Sequence, residues 1–152
     1  MACWKREKSL RLICAGGGKF NDEELQLINK LGVASQVVQL PIDDQRLAAL
    51  YSKALFFVFP SLYEGFGIPA LEAFNCGCPT ILSNVSSLPE VGQEAALYID
   101  PENPGDMLNK CELFYYDRGL REEYRERGLR QAGKFSWEKV SRETLDIYQS
   151  AL

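Results

Sequence analysis

Phe59-Pro-Ser-Leu-Tyr-Glu-Gly-Phe-Gly-Ile-Pro-Ala-Leu-Glu-Ala73 leaves an apolar run, turns through two glycines and opens onto residues that favour a helix. The run that feeds it, Leu55-Phe-Phe-Val-Phe59, is apolar on both alternating faces, the pattern of a central strand in a parallel sheet covered by helices. Pro69 suits a first helical turn, because the N–H it removes has no intrahelical partner there. A strand that passes through a glycine turn into a helix is the repeating unit of an α/β fold. At such a turn free backbone N–H groups meet the positive end of the helix dipole, so phosphate is favoured. Gly65 and Gly67 would admit close approach of a ligand, since neither carries a Cβ.

The same alternation extends in both directions. Toward the N-terminus, Leu10-Arg-Leu-Ile-Cys-Ala15 reads as a strand ended by Gly16-Gly-Gly18. Asn21-Asp-Glu-Glu24 supplies an N-cap and acidic first turn for a helix to about Leu31, stopped by Gly32. Gln36-Val-Val-Gln-Leu40 is a second strand, and Asp43 or Asp44 caps a helix through Leu47, Leu50 and Tyr51. Toward the C-terminus, the helix from about Gly67 to Cys76 precedes strands at Pro79–Ser83 and Ala96–Ile99. Beyond Pro104 the pattern is helical around 105–116, 118–133 and 137–150, with Ser136 as the last N-cap. Strand and helix in alternation with short connections predict a Rossmann-like, doubly wound parallel sheet with helices on both faces and a helical C-terminal segment. Its ligand crevice lies beyond the carboxyl ends of the strands. No repeat, low-complexity tract or linker divides the 152 residues, which read as a single domain.

Two carboxylates bracket the glycine turn, Glu64 before it and Glu72 eight residues on. A carboxylate can accept from both of two vicinal hydroxyls, as a ribose or hexose presents them. Spacing alone leaves two readings open, a pair of sugar-binding groups or a solvated loop glutamate and a helix-surface glutamate. Gly16-Gly-Gly18 is likewise either a ligand cradle or a plain turn, and Lys19 beside it is either a phosphate contact or a solvated lysine.

Composition excludes several classes. Apolar residues form 46% and charged residues 25% of the chain, ordinary for a globular protein, and the formal charge is −4. A nucleic-acid binder would usually carry a basic face, so none is expected as a partner. Ala54-Leu-Phe-Phe-Val-Phe-Pro60 is strand-length, so no transmembrane segment is expected, and the first eight residues are too polar for a secretion signal. Five cysteines with no paired CxxC spacing, and no histidine, read as free thiols in a reducing cytoplasm rather than as a metal centre around Cys76-Gly-Cys78.

Pro60-Ser-Leu-Tyr-Glu-Gly-Phe-Gly-Ile-Pro-Ala-Leu-Glu-Ala-Phe74, then Cys76-Gly-Cys-Pro-Thr-Ile81 and Ser86-Ser-Leu-Pro-Glu-Val91, closely resembles the group 1 family of retaining glycosyltransferases. Glu64 and Glu72 match that family's Glu-x7-Glu motif. Ala15–Gly18, Ala96–Pro101 and Phe135–Glu138 extend the likeness in order over about residues 10–150. The resemblance implies one half of a GT-B fold, the C-terminal domain that holds the nucleotide-sugar. It implies that Glu64 contacts the donor sugar as the catalytic-site carboxylate, that Gly65, Phe66, Gly67 and Ile68 face the diphosphate, and that Glu72 accepts from the ribose. Gly16, Gly17 and Ile42 would lie near the base. The donor would be a UDP-, GDP- or ADP-sugar, with no cofactor and no metal, and transfer would go with retention to a glycan or lipid-linked acceptor.

Departures from the family pattern set further expectations. The acceptor domain, and the first strand of the donor domain with its glycine-arginine turn and lysine, have no counterpart here. The acceptor domain is therefore expected in cis or in trans, and the chain by itself is expected to be inactive. Leu40 and Pro41 stand where the family places a glycine before the base site. An exposed sheet edge or apolar face, and self-association through it, are expected. The parent enzyme would be cytoplasmic, with room for peripheral attachment at the inner membrane face. Two other readings stay open: a free-standing nucleotide-binding module working with a separate acceptor subunit, and a non-catalytic Rossmann-like interaction domain.

Overall fold

The computed structural model describes residues 9–150. Among these residues all strand pairing is parallel and helices connect the strands, as a doubly wound α/β arrangement requires. The chain forms two compact units, residues 1–49 and 50–152, each with its own ladder.

In the first unit β1 (Leu12–Ala15) pairs with β2 (Val37–Leu40), Leu12 opposite Val37 and Ala15 opposite Leu40. Helix α1 (Asp22–Leu31) crosses between them and starts in a capping box. The Asn21 side chain accepts from the Glu24 N–H at 2.9 Å, and the Glu24 carboxylate accepts from the Asn21 N–H at 2.8 Å. Gly32 ends the helix in the left-handed conformation with φ 68°. Two strands and one crossover helix bury little: no described residue of this unit is fully buried, and Leu12 and Ile13 stand open on β1. Leu12 and Ile13 point to opposite faces of the strand, so each face of β1 is partly open. Of the two candidate caps for α2 (Asp44–Lys53), Asp43 takes the role, accepting from the Arg46 N–H at 2.8 Å.

The second unit carries the core. Its ladder is β3 (Phe57–Phe59), β4 (Thr80–Ser83) and β5 (Ala96–Ile99), with β4 in the middle and all four of its residues buried. The central place expected for residues 55–59 is corrected. Among the described residues β3 pairs with β4 alone, and its three residues are half-buried; apolar alternation reports burial of a strand's two faces and not whether its edges are paired. Phe57 instead shields itself with aromatic contacts, edge-on to Tyr51 and stacked on Phe59. Helix α3 (Ile68–Asn75) follows β3, and a short helix α4 (Leu88–Gly92), absent from the sequence reading, follows β4.

Three longer helices complete the unit: α5 (Pro104–Tyr116), α6 (Arg118–Ala132) and α7 (Trp137–Ser150). Each begins at a side chain that accepts first-turn N–H groups, Asn103, Asp117 and Ser136. The core joins Ala70 and Phe74 of α3, Leu82 of β4, Leu88 of α4, Ala96 of β5 and Ala132 of α6. Helices α3 and α6 approach so closely that a Cβ on Gly128 would lie 2.9 Å from the Phe74 ring.

Candidate functional site

The turn from β3 to α3 is built by two glycines with different duties. Gly67 is the residue before α3, with φ 99° and ψ 45°, and no side chain caps the helix there. A Cβ at Gly67 would sit 2.6 Å from Cδ2 of Leu88, whose side chain is wholly buried. Gly67 therefore serves the protein's own packing as well as the turn. Gly65 lies outside the left-handed region, is exposed, and has nothing within 4 Å of a built Cβ. Of the two, only Gly65 has open space where a side chain would stand. Pro69 is the second residue of α3, where its missing N–H costs nothing. Phe66 is exposed and meets Phe135 edge-on at 6.0 Å, and Ile68 is exposed beside it.

Glu64 is half-buried and held at its N–H, its carbonyl and one carboxylate oxygen. Ser61 Oγ donates to its Oε1 at 2.9 Å and also faces the Tyr63 carbonyl at 3.1 Å. From the loop between β4 and α4, Ser86 Oγ donates to the Glu64 carbonyl at 2.5 Å and accepts from the Glu64 N–H at 3.3 Å. Ser87 Oγ donates to the same carbonyl at 3.0 Å. Neither serine stands out in the sequence as a site residue. Two adjacent hydroxyls before the Leu-Pro of a short helix were the signal, and their partner 22 residues away was legible only in the fold.

Glu72 is the fifth residue of α3, roughly 6 Å along the axis from its first residue. It is exposed and carries no ion pair among the described residues. Its charge adds to burial in raising the Tyr51 phenol well above the ordinary 10. Both carboxylates thus flank one turn in one unit, with free oxygens.

Gly16, Gly17 and Ile42 belong to the first unit. Gly16, Gly17 and Gly18 all take positive φ, 82°, 76° and 85°, with open space at each built Cβ. Three such residues in a row require glycine. The Gly16 N–H donates to the Leu40 carbonyl at 3.3 Å and the Gln39 amide donates to the Gly16 carbonyl at 3.3 Å, which ties the glycine turn to β2 just ahead of Ile42.

The thiols are free at Cys14, Cys76, Cys78 and Cys111. Burial pushes Cys78 up to about 12, helped by Cys76, and Cys111 up to about 11. Cys3 lies outside the described residues. Among the described residues no three His, Cys, Asp or Glu side chains come together, and no helix is long and apolar enough to cross a membrane.

Solved structures share this fold. Sucrose-phosphate synthase from Thermosynechococcus elongatus superposes with a TM-score of 0.80 at 26% identity, over 93% of this chain and 38% of that one. Anabaena HepE, solved in complex with UDP, superposes with a TM-score of 0.80 at 18% identity, over 93% and 41%. By sequence, the O-antigen chain mannosyltransferase B of Escherichia coli is 44% identical over 108 residues, 71% of this chain and 28% of that protein. The chain therefore spans about a third of the length of such relatives. Residues 2–131 match the model of the family described as glycosyl transferases group 1. With the parallel α/β fold and the Glu64–Glu72 turn in place, the chain belongs to the group 1 glycosyltransferases.

Proposed function

We propose that this chain is the donor-binding part of a retaining glycosyltransferase and holds a nucleoside diphosphate sugar at the β3–α3 turn. The observation that supports it most is the pair of carboxylates on either side of an uncapped helix start. Glu64 is braced by serines, and Glu72 has no ion pair among the described residues. In this reading the diphosphate sits against the backbone of Gly65, Phe66, Gly67 and Ile68, where N–H groups and the helix dipole favour negative charge. Glu64 accepts from the sugar hydroxyls and Glu72 from the ribose. The base contacts at Gly16, Gly17 and Ile42 rest on the family likeness.

The chemistry follows from where charge develops. As the bond from the anomeric carbon to the phosphate breaks, negative charge grows on the departing phosphate and the sugar becomes oxocarbenium-like. A preorganised helix start stabilises that leaving charge without reorganising. Transfer with retention has the acceptor enter from the face the phosphate leaves. No metal is required in this scheme, and the acceptor is bound by a further domain in cis or in trans. The mannosyltransferase relative suggests a mannosyl donor and a growing polysaccharide as acceptor.

Calorimetry with GDP, UDP and ADP, each beside GDP-mannose, UDP-glucose and ADP-glucose, tests the reading. Glu72→Gln should weaken nucleotide and nucleotide-sugar alike by about ten- to a hundredfold, the loss of a charge-assisted hydrogen bond. Glu64→Gln should weaken only the nucleotide-sugar. Equal losses from Glu64→Gln on both ligands would remove the sugar assignment, and no loss from Glu72→Gln would return that residue to an ordinary helix-surface glutamate.

A further inference from the structure

Ser86 is one of two non-glycine residues among those described with positive φ, at 58°. Such a conformation costs an L-residue on the order of 1 kcal/mol and persists only where surrounding contacts over-determine it. Glycine would occupy it freely, so backbone geometry alone gives no reason for serine. What serine adds is a hydroxyl, and that hydroxyl is fully used. Its one proton goes to the Glu64 carbonyl and a lone pair takes the Glu64 N–H. The two peptide planes on either side of the Glu64 Cα are thus fixed from a loop 22 residues away. Ser87 doubles the bond to the carbonyl, and Ser61 occupies one carboxylate oxygen at 2.9 Å, leaving Oε2 unclaimed by any described residue.

A staple between two loops would need one bond to any backbone group on the turn. Here three hydroxyls converge on one residue, at its N–H, its carbonyl and its carboxylate. We infer that Ser86 is a positioning residue that sets the backbone of Glu64, so that the carboxylate oxygen left free by Ser61 is presented in one direction to the donor sugar. This rests on the reading of Glu64 as the sugar contact. Strain at Ser86 then serves aim rather than fold, since it is the strained backbone that carries the hydroxyl to Glu64.

The test measures the ratio of nucleotide-sugar to bare-nucleotide affinity on this chain, with GDP-mannose against GDP and UDP-glucose against UDP. Ser86→Ala should lower that ratio by roughly three- to tenfold, as loss of the two backbone hydrogen bonds frees Glu64. Ser86→Gly should lower it as much while melting no lower than Ser86→Ala, because glycine relieves the strain; it also stands in should the alanine variant fail to fold. Ser86→Thr, which keeps the hydroxyl, should restore part of the ratio. In a double-mutant cycle, Glu64→Gln should cost little more once Ser86 is alanine. If Glu64→Gln lowers the ratio and neither Ser86→Ala nor Ser86→Gly does, the positioning role is overturned while Glu64 keeps its assignment. If the two losses simply add, Ser86 does not act through Glu64. If Glu64→Gln leaves the ratio unchanged, the sugar reading of Glu64 fails and the positioning role fails with it.

Discussion

Replacing Gly67 by alanine loads the candidate site's turn in two ways that can be sized separately. Gly67 holds φ 99° and ψ 45°, a region that penalises a Cβ by roughly 1–2 kcal/mol. The new methyl would also meet Leu88 Cδ2 at 2.6 Å. The end of a leucine side chain can yield when it has room, but Leu88 is wholly buried against the core, so the contact becomes overpacking at about 1–3 kcal/mol. Together Gly67→Ala should destabilise the fold by roughly 2–5 kcal/mol, which in a chain of this size lowers the melting temperature by roughly 4–20 °C. Gly65→Ala is the control, since it lies outside the left-handed region with open space around it, and should stay within about 0.5 kcal/mol of the parent. Paired urea titrations of the two variants read both numbers. If Gly67→Ala unfolds at the same urea concentration as Gly65→Ala, the conformational argument and the packing argument are both wrong. If Gly65→Ala keeps its stability but loses nucleotide affinity, the ligand approaches where the structure leaves room.

Other expectations follow from single features. Gly128→Ala should destabilise by about 1–3 kcal/mol in the same titration, because its methyl would press on the buried Phe74 ring at 2.9 Å. Asn103→Ala removes the acceptor for the Gly105 and Asp106 N–H groups and should cost about 1 kcal/mol, with most of the loss spared in Asn103→Asp. The raised thiols make stability fall at alkaline pH. Cys78 and Cys111 stay protonated in the folded chain, near 12 and 11, while unfolded thiols ionise from about 9.0, so the unfolded state loses protons first and denaturation midpoints should decline from about pH 9 upward. A flat profile between pH 8 and 11 would contradict that burial. Binding of a nucleoside diphosphate should be indifferent to EDTA; a loss restored by magnesium or manganese would mean the phosphate site lies elsewhere.

Much of this protein is legible in the sequence alone, because the information is local. Asn21 with Glu24, Gly32 and Ser136 mark helix ends through bonds to neighbours within four residues, and each cap formed where the sequence placed it. Parallel α/β order followed from alternation of apolar runs with helical patterns, and the family likeness from the Glu64–Glu72 spacing with its flanking segments. What needed tertiary structure was pairing at a distance. Apolarity could not tell that β4 rather than β3 would be the buried middle strand, since edge pairing leaves no trace in side-chain pattern. Gly65 and Gly67 look alike in sequence, and only the buried Leu88 behind one and open space before the other separate a glycine that packing requires from one with room around it. Ser86 shows the same division: its hydroxyl could be read from the chain, but its strained backbone and its hold on Glu64 exist only once two loops 22 residues apart are folded against each other.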